Sequence, residues 1–156
     1  MKKRRSLSIV LVFVMVFCLS LGTSFNVMAS DEQKCVDGSY LIDEESSEVT
    51  VGSKTRGIYL KSGSSSMVKE GTGKLSAGGN TVGQVVVSKI SVNVNIQKLV
   101  NGSWQYYDSW TVTNYNSAYV SSTKTKYVPS GYYYRTYCTH YANSDTSGSF
   151  TNGVFI

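Results

Sequence analysis

From about residue 48 to the C-terminus, apolar and polar positions alternate with a period of two, the spacing of a strand that buries one face. The clearest case is Ile90, Val92, Val94 and Ile96 against Ser91, Asn93, Asn95 and Gln97: one face aliphatic, the other amide-rich. No stretch after residue 30 shows helical periodicity, and Pro129 is the single proline. Runs bounded by Gly, Asn and Ser clusters predict strands near 48–52, 55–61, 65–69, 72–76, 81–99, 103–113, 118–128, 131–141 and 148–156. The 81–99 run is long enough to require a bend, expected near Gly83. The pattern predicts an all-β domain, an antiparallel β-sandwich of about eight or nine strands.

Asn101-Gly102 marks a hairpin, and its loop length decides where Trp104 and Trp110 point. A two-residue type I′ turn pairs Val94 with Ser109 and Asn93 with Trp110. Both tryptophans then stand beside Asn93 and Gln97, as a stacking platform. A three-residue loop with Gly102 in a bulge pairs Ile96 with Tyr106 and Val92 with Trp110, which puts both rings in the core. Burying a large apolar side chain contributes about 1.5–3 kcal/mol, which favours the core arrangement. The second aromatic concentration follows Pro129-Ser130-Gly131. There Tyr133, Arg135, Tyr137 and Tyr141 share one face, and Tyr132, Tyr134, Cys138 and His140 share the other. Tyrosines commonly fill a half-buried pleated surface. A stacking strip centred on Arg135, able to hold an anionic group, is the functional alternative.

The N-terminus follows a different logic. Lys2, Lys3, Arg4 and Arg5 precede a mostly apolar run from Leu7 to Leu21, and Val27-Met28-Ala29 precede Ser30-Asp31-Glu32. This is the layout of a secretory signal peptide over 1–29, cut after Ala29, and its apolar run is short for a membrane span. The expected organisation is therefore a leader over 1–29, an acidic arm over 30–48 and a β domain over 49–156.

Removing the leader changes the charge argument. Of 15 basic residues four lie in the leader, and none of the ten acidic ones do, so the nominal +5 falls to +1. That removes the case for nucleic acid as a partner, and no stable membrane span remains after cleavage. Residues 31–48 carry seven acids against Lys34 alone, whereas 49–156 carry ten bases against Glu70, Asp108 and Asp145. The arm reads as solvated and partly disordered, or as docking on the basic body. It lacks the spacing of a calcium loop, and no metal site is expected. Cys18 lies in the leader. Export makes a Cys35–Cys138 disulfide chemically reasonable, closing a loop worth about 4.7 kcal/mol in the chain-entropy model. Two free thiols are the alternative.

Candidate chemistry is sparse. A hydrolytic carboxylate pair would have to come from Glu70, Asp108 and Asp145, whose spacing carries no signal. His140 is the one histidine, no nucleophile-elbow pattern occurs, and the glycines of 71–83 match no phosphate loop. The chain reads as a non-enzyme without cofactors.

Arg56-Gly57-Ile58-Tyr59-Leu60, Gly71-Thr72-Gly73, Gly79-Asn80-Thr81, Gly102-Ser103-Trp104, Gly131-Tyr132-Tyr133-Tyr134-Arg135 and His140 together resemble an uncharacterised family of small exported Firmicutes proteins. The resemblance spans about 37–156. It implies export and an all-β fold, and it transfers no catalytic or binding residue. The architecture is also broadly similar to that of small secreted β-sandwich bacteriocins. The resulting expectation is a secreted, extracellular, non-catalytic binding or interaction module acting outside the cell or at its wall, on a wall glycan or surface protein. Its ligand surface would draw on Tyr133, Arg135, Tyr137 and Tyr141, with Trp104 and Trp110 joining if the two-residue turn holds. A secreted antibacterial or toxin-like protein acting on a competitor's envelope is the alternative.

Overall fold

The computed structural model describes residues 33–52 and 57–156. The leader over 1–29, its cleavage site and the first residues of the acidic arm lie outside the described residues. Among the described residues, every strand and every core residue falls in one compact unit, Gln33–Ile156, which carries its own core and so can fold alone. Nine strands follow in order: β1 (Cys35–Val36), β2 (Ser39–Ile42), β3 (Ser46–Gly52), β4 (Leu60–Gly71), β5 (Lys74–Val100), β6 (Ser103–Tyr127), β7 (Tyr133–Ala142), β8 (Asp145–Phe150) and β9 (Gly153–Phe155).

Two of these strands are far longer than the runs that predicted them. β5 has 27 residues and β6 has 25, and they form a single hairpin bent in the middle. The first half of β5 pairs with β4 on one side and with the end of β6 on the other. Its second half, from Val87, keeps β6 but exchanges β4 for β7. Between the halves the register jumps: Val82 faces Tyr119 and Val87 faces Ser117, so Gly83–Val86 bulge out opposite Ala118. The bend expected near Gly83 is therefore present, and Asn116, at φ 50°, bends β6 beside it.

The bend folds the ribbon back on itself. Trp110 Nε1 donates to Ser122 Oγ at 2.9 Å, although both residues belong to β6. A straight strand would hold residues twelve apart at about 40 Å. Lys124 and Lys126 reach the same indole, 5.1 and 5.6 Å from its centroid, and Lys126 pairs with Asp108 at 2.7 Å. The face enclosed by this fold carries the core: Ile90, Val92, Val94 and Ile96 of β5, with Met67, Leu75, Val120 and Tyr134.

Little space separates the two halves, and glycine makes the approach possible. A Cβ on Gly63 of β4 would run into the His140 ring, and one on Gly79 would stand 2.5 Å from Cys138 Sγ. Those two positions admit no side chain while β4 and the first half of β5 keep this spacing from β7.

The fold is all-β, as the period-two pattern predicts. The sandwich expectation needs correction: the nine strands join into one mixed sheet that curls into a half-barrel rather than into two separate antiparallel layers. The parallel element is β2 against β9, Leu41 facing Gly153 and Ile42 facing Val154. It arises because the acidic arm, expected either as a solvated tail or as docked on the basic body, supplies β1, β2 and the start of β3. Ser39 and Ile42 are buried there while the charged side chains face water.

Of the two expectations for the cysteines, the structure has the free-thiol form, with Cys35 and Cys138 unbonded. Cys138 is buried on the enclosed face and donates to the Gly78 carbonyl, whereas Cys35 is exposed on β1. β1 and β2 are fastened to Arg135, which lies on the opposite face of β7 from Cys138.

Candidate functional surface

Hydrogen-bond register assembles the outer face of the second half of the sheet into rows across β6, β5, β7 and β8. One row reads Thr113, Ser91, Tyr141, Thr146; the next Thr111, Asn93, Thr139, Gly148; the third Ser109, Asn95, Tyr137, Phe150. A fourth holds Tyr106, Gln97 and Arg135. Hydroxyls, amides and aromatic rings make up these rows, with no aliphatic side chain among them. The same strands present Ile90, Val92, Val94 and Ile96 to the core, so strict alternation produces both faces at once.

At the fourth row the face is closed. The Arg135 guanidinium lies 4.7 Å from the Trp104 ring and 5.2 Å from the Phe150 ring. Its Nε donates to Gln97 Oε1 at 2.7 Å, and its Nη1 donates to Ser39 Oγ at 2.9 Å and to the Asp37 carbonyl at 3.1 Å. Trp104 Nε1 donates to the Val36 carbonyl at 3.0 Å. Arg135 is 7% exposed, and burial lowers its pKa. At contact distance its charge is met by two ring faces and three neutral acceptors, and the Asp37 carboxylate favours it from farther off. It fastens the β1–β2 turn to the sheet, so this guanidinium is committed to the fold.

In the second and third rows the face is half-exposed, with Thr111 and Gly148 at the surface and Asn93, Tyr137 and Thr139 half-buried. The Tyr137 hydroxyl lies 3.0 Å from where a Cβ of Gly148 would stand, so the phenol ring reclines across that glycine instead of standing off the sheet. Beside it Asn93 Nδ2 donates to Thr111 Oγ1 at 2.8 Å, while the Asn95 Oδ1 acceptor lies buried beneath this surface without a partner. Tyr141 is 40% exposed and Tyr106 65% exposed, flanking this strip. A reclining ring with amides and hydroxyls alongside can stack on an apolar ring face while hydrogen-bonding its periphery.

The sequence-predicted residues separate accordingly. Tyr133, Arg135, Tyr137 and Tyr141 share the outer face, as alternation predicts, but only Tyr137 and Tyr141 reach the half-exposed strip. Tyr133 packs on Phe155 at 5.1 Å and donates to Asp43 Oδ1 at 3.5 Å, with its pKa raised, chiefly by burial. The two tryptophans lie on opposite faces, which neither hairpin register anticipated. The turn is the two-residue form, with Asn101 at φ 51° and Gly102 at 78°. A bulge at Tyr107 then shifts the register, so Gln97 faces Tyr106 but Ile96 faces Asp108 and Val94 faces Trp110. Trp110 packs against the core while Trp104 stays outside over Arg135. The extra residue gains an aromatic contact: the Tyr107 ring meets Tyr134 edge-on at 5.7 Å.

The enclosed face carries one catalytic-looking chain. Ser149 Oγ lies 2.8 Å from His140 Nε2, and His140 Nδ1 lies 2.9 Å from Thr81 Oγ1. Thr81 spends its proton on the Ser91 carbonyl, so Nδ1 carries the imidazole proton and Ser149 donates to Nε2. The order resembles a hydrolytic triad with threonine in the acid's place. All three are buried, Ser149 at 1% exposure, so no substrate carbonyl reaches the hydroxyl. Burial also lowers the His140 pKa to about 4 and raises the Cys138 pKa to about 12, so both are neutral at physiological pH.

The sequence places Asn93 beside Gln97 in a tryptophan platform, whereas the structure sets it beside Tyr137; Asn95, Thr111, Thr139 and Tyr106 carry no such sequence signal. The amide-rich alternation of β5 is legible in the chain, but its pairing with β7 is not.

A model for a family of unknown function, DUF6147, matches residues 28–154. Comparison with curated proteins gives no match. Among solved structures, the sporulation control protein Spo0M from Bacillus subtilis aligns at 7% identity and a TM-score of 0.35. The alignment covers 72% of this chain and 50% of that one, so the chain spans about half the length of Spo0M. A likeness at that score carries no argument about fold or function.

Proposed function

The chain belongs to the DUF6147 family of unknown function, and we propose that its β domain is a non-catalytic binding module for a carbohydrate polymer, working outside the cell or at its wall. One observation carries this reading: the Tyr137 ring reclines over Gly148, flanked by Asn93 and Thr139 on a half-exposed polar face. A pyranose offers an apolar ring face and equatorial hydroxyls, the two features such a strip would engage. The N-terminal leader pattern supports the extracellular setting, and the burial of Ser149 and His140 supports a role without catalysis.

The test is a pull-down of residues 30–156 on insoluble peptidoglycan and on cellulose and chitin, with Tyr137→Ala and Tyr141→Ala beside the parent. Retention on one polymer, weakened at least tenfold by Tyr137→Ala, is the expected result. Equal retention of parent and variant, or none on any polymer, contradicts the reading. Killing of neighbouring strains by the parent would move the assignment to the antibacterial alternative.

A further inference from the structure

The bend of the long hairpin has a surface unlike the rest of the domain. The Gly83–Val86 bulge leaves Val85 54% and Val86 68% exposed. Gln84 N donates to the Tyr59 carbonyl at 2.7 Å, which brings Ile58, 68% exposed, to the same end. Tyr119, facing Val82, and Tyr115, facing Lys89, are 50% and 68% exposed there. Soluble domains seldom gather exposed aliphatic side chains in this way without a partner. None of these residues belongs to the core or to the polar face.

Two lysines frame the aliphatic cluster. Lys61 and Lys89 are exposed beside the bulge. Among the described residues the nearby acid is Asp145, which accepts from the Tyr59 and Leu60 amides at 2.7 and 3.0 Å. The other described acids lie away from the bend: Asp37 in the β1–β2 turn, Asp43, Glu44 and Glu45 before β3, Glu48 within it, Glu70 at the far end of β4, and Asp108 opposite Ile96. The far end mixes such acids with Lys69, Lys74, Lys98, Lys124 and Lys126, whereas the bend sets its exposed aliphatic side chains beside Lys61 and Lys89.

We propose that this bend is a peripheral membrane-contact tip that seats on an anionic lipid surface. Val85, Val86 and Ile58 would enter the acyl boundary, Tyr115 and Tyr119 would sit at headgroup depth, and Lys61 and Lys89 would face lipid phosphates. A projecting bulge suits a deformable bilayer interface better than a second rigid protein surface, which would need a matching hollow. Insertion is shallow and reversible, because the bulge offers only two valines and one isoleucine.

Residues 30–156 are spun with vesicles of phosphatidylcholine and phosphatidylglycerol at 7:3, and with phosphatidylcholine alone. The expected result is co-sedimentation with the anionic vesicles, weakened at 0.5 M NaCl and reduced at least tenfold in Val85→Ser/Val86→Ser. Tyr127→Ser, at the opposite end, serves as the control and binds as the parent does. Both positions are exposed, and a thermal melt of each variant verifies folding. Failure of the parent to sediment, or unchanged binding of the double variant, overturns the proposal. So does a dimer in sedimentation velocity that the double variant abolishes, which would assign the tip to a second copy of this chain.

Discussion

The Arg135 guanidinium stacks 4.7 Å from the Trp104 ring while donating to Gln97, Ser39 and the Asp37 carbonyl. This relationship turns a residue that reads from sequence as a ligand contact into a fastening for the N-terminal strands. Arg135→Lys keeps the charge but loses the planar stack and the forked donors, at a cost of about 2 kcal/mol. Hydrogen exchange should quicken over Cys35–Ile42 before the rest of the domain. Uniform exchange across the chain in the variant would contradict the fastening role.

The two thiols should behave differently. Cys35 is exposed, whereas Cys138 is buried with its pKa pushed up to about 12. An aromatic disulfide reagent at pH 8 should label one thiol per molecule rapidly and the second only in denaturant. No labelling without reductant would restore the disulfide.

His140 predicts a particular acid sensitivity. Its pKa in the folded protein is about 4, below the value of about 6.5 expected in the unfolded chain. Between these values the unfolded state binds the extra proton, so stability falls as pH drops from about 6.5 to about 4 and then levels for this group. The shift sets an upper bound of about 3 kcal/mol on the loss. Urea midpoints measured across that range should show the slope in the parent and lose most of it in a folded His140→Gln variant.

Gly63 and Gly79 test how closely the halves of the half-barrel pack. Gly63→Ala would push a methyl group into the His140 ring, an overpacking that costs about 1–3 kcal/mol or more. Gly52→Ala, where a Cβ meets nothing within 4 Å, should cost far less. Equal urea midpoints for the two variants would contradict the close approach of β4 and β7.

Much of this architecture was legible in the chain. The alternation at 90–97 identified the core face and the amide face, and the faces of Tyr133, Arg135, Tyr137 and Cys138 followed from the same period. Three features were not legible, each for a physical reason. The Tyr107 bulge leaves the local pattern intact while reversing the faces beyond it, so Trp104 and Trp110 part company. The acidic arm looked too charged to fold, yet only its alternate side chains needed burial. The pairing of β5 with β7 is a long-range contact, and Asn93 and Asn95 gain meaning only from the tyrosines it sets beside them.

The most direct test of the binding face is a titration of isotopically labelled residues 30–156 with soluble wall oligosaccharides, followed by amide chemical shifts. The account predicts that the largest changes cluster at Asn93, Asn95, Tyr137, Thr139 and Tyr141, and that Tyr137→Ala removes them. Shifts confined to the enclosed face or to the bend, or no shifts with any fragment that the intact wall competes for, would contradict it.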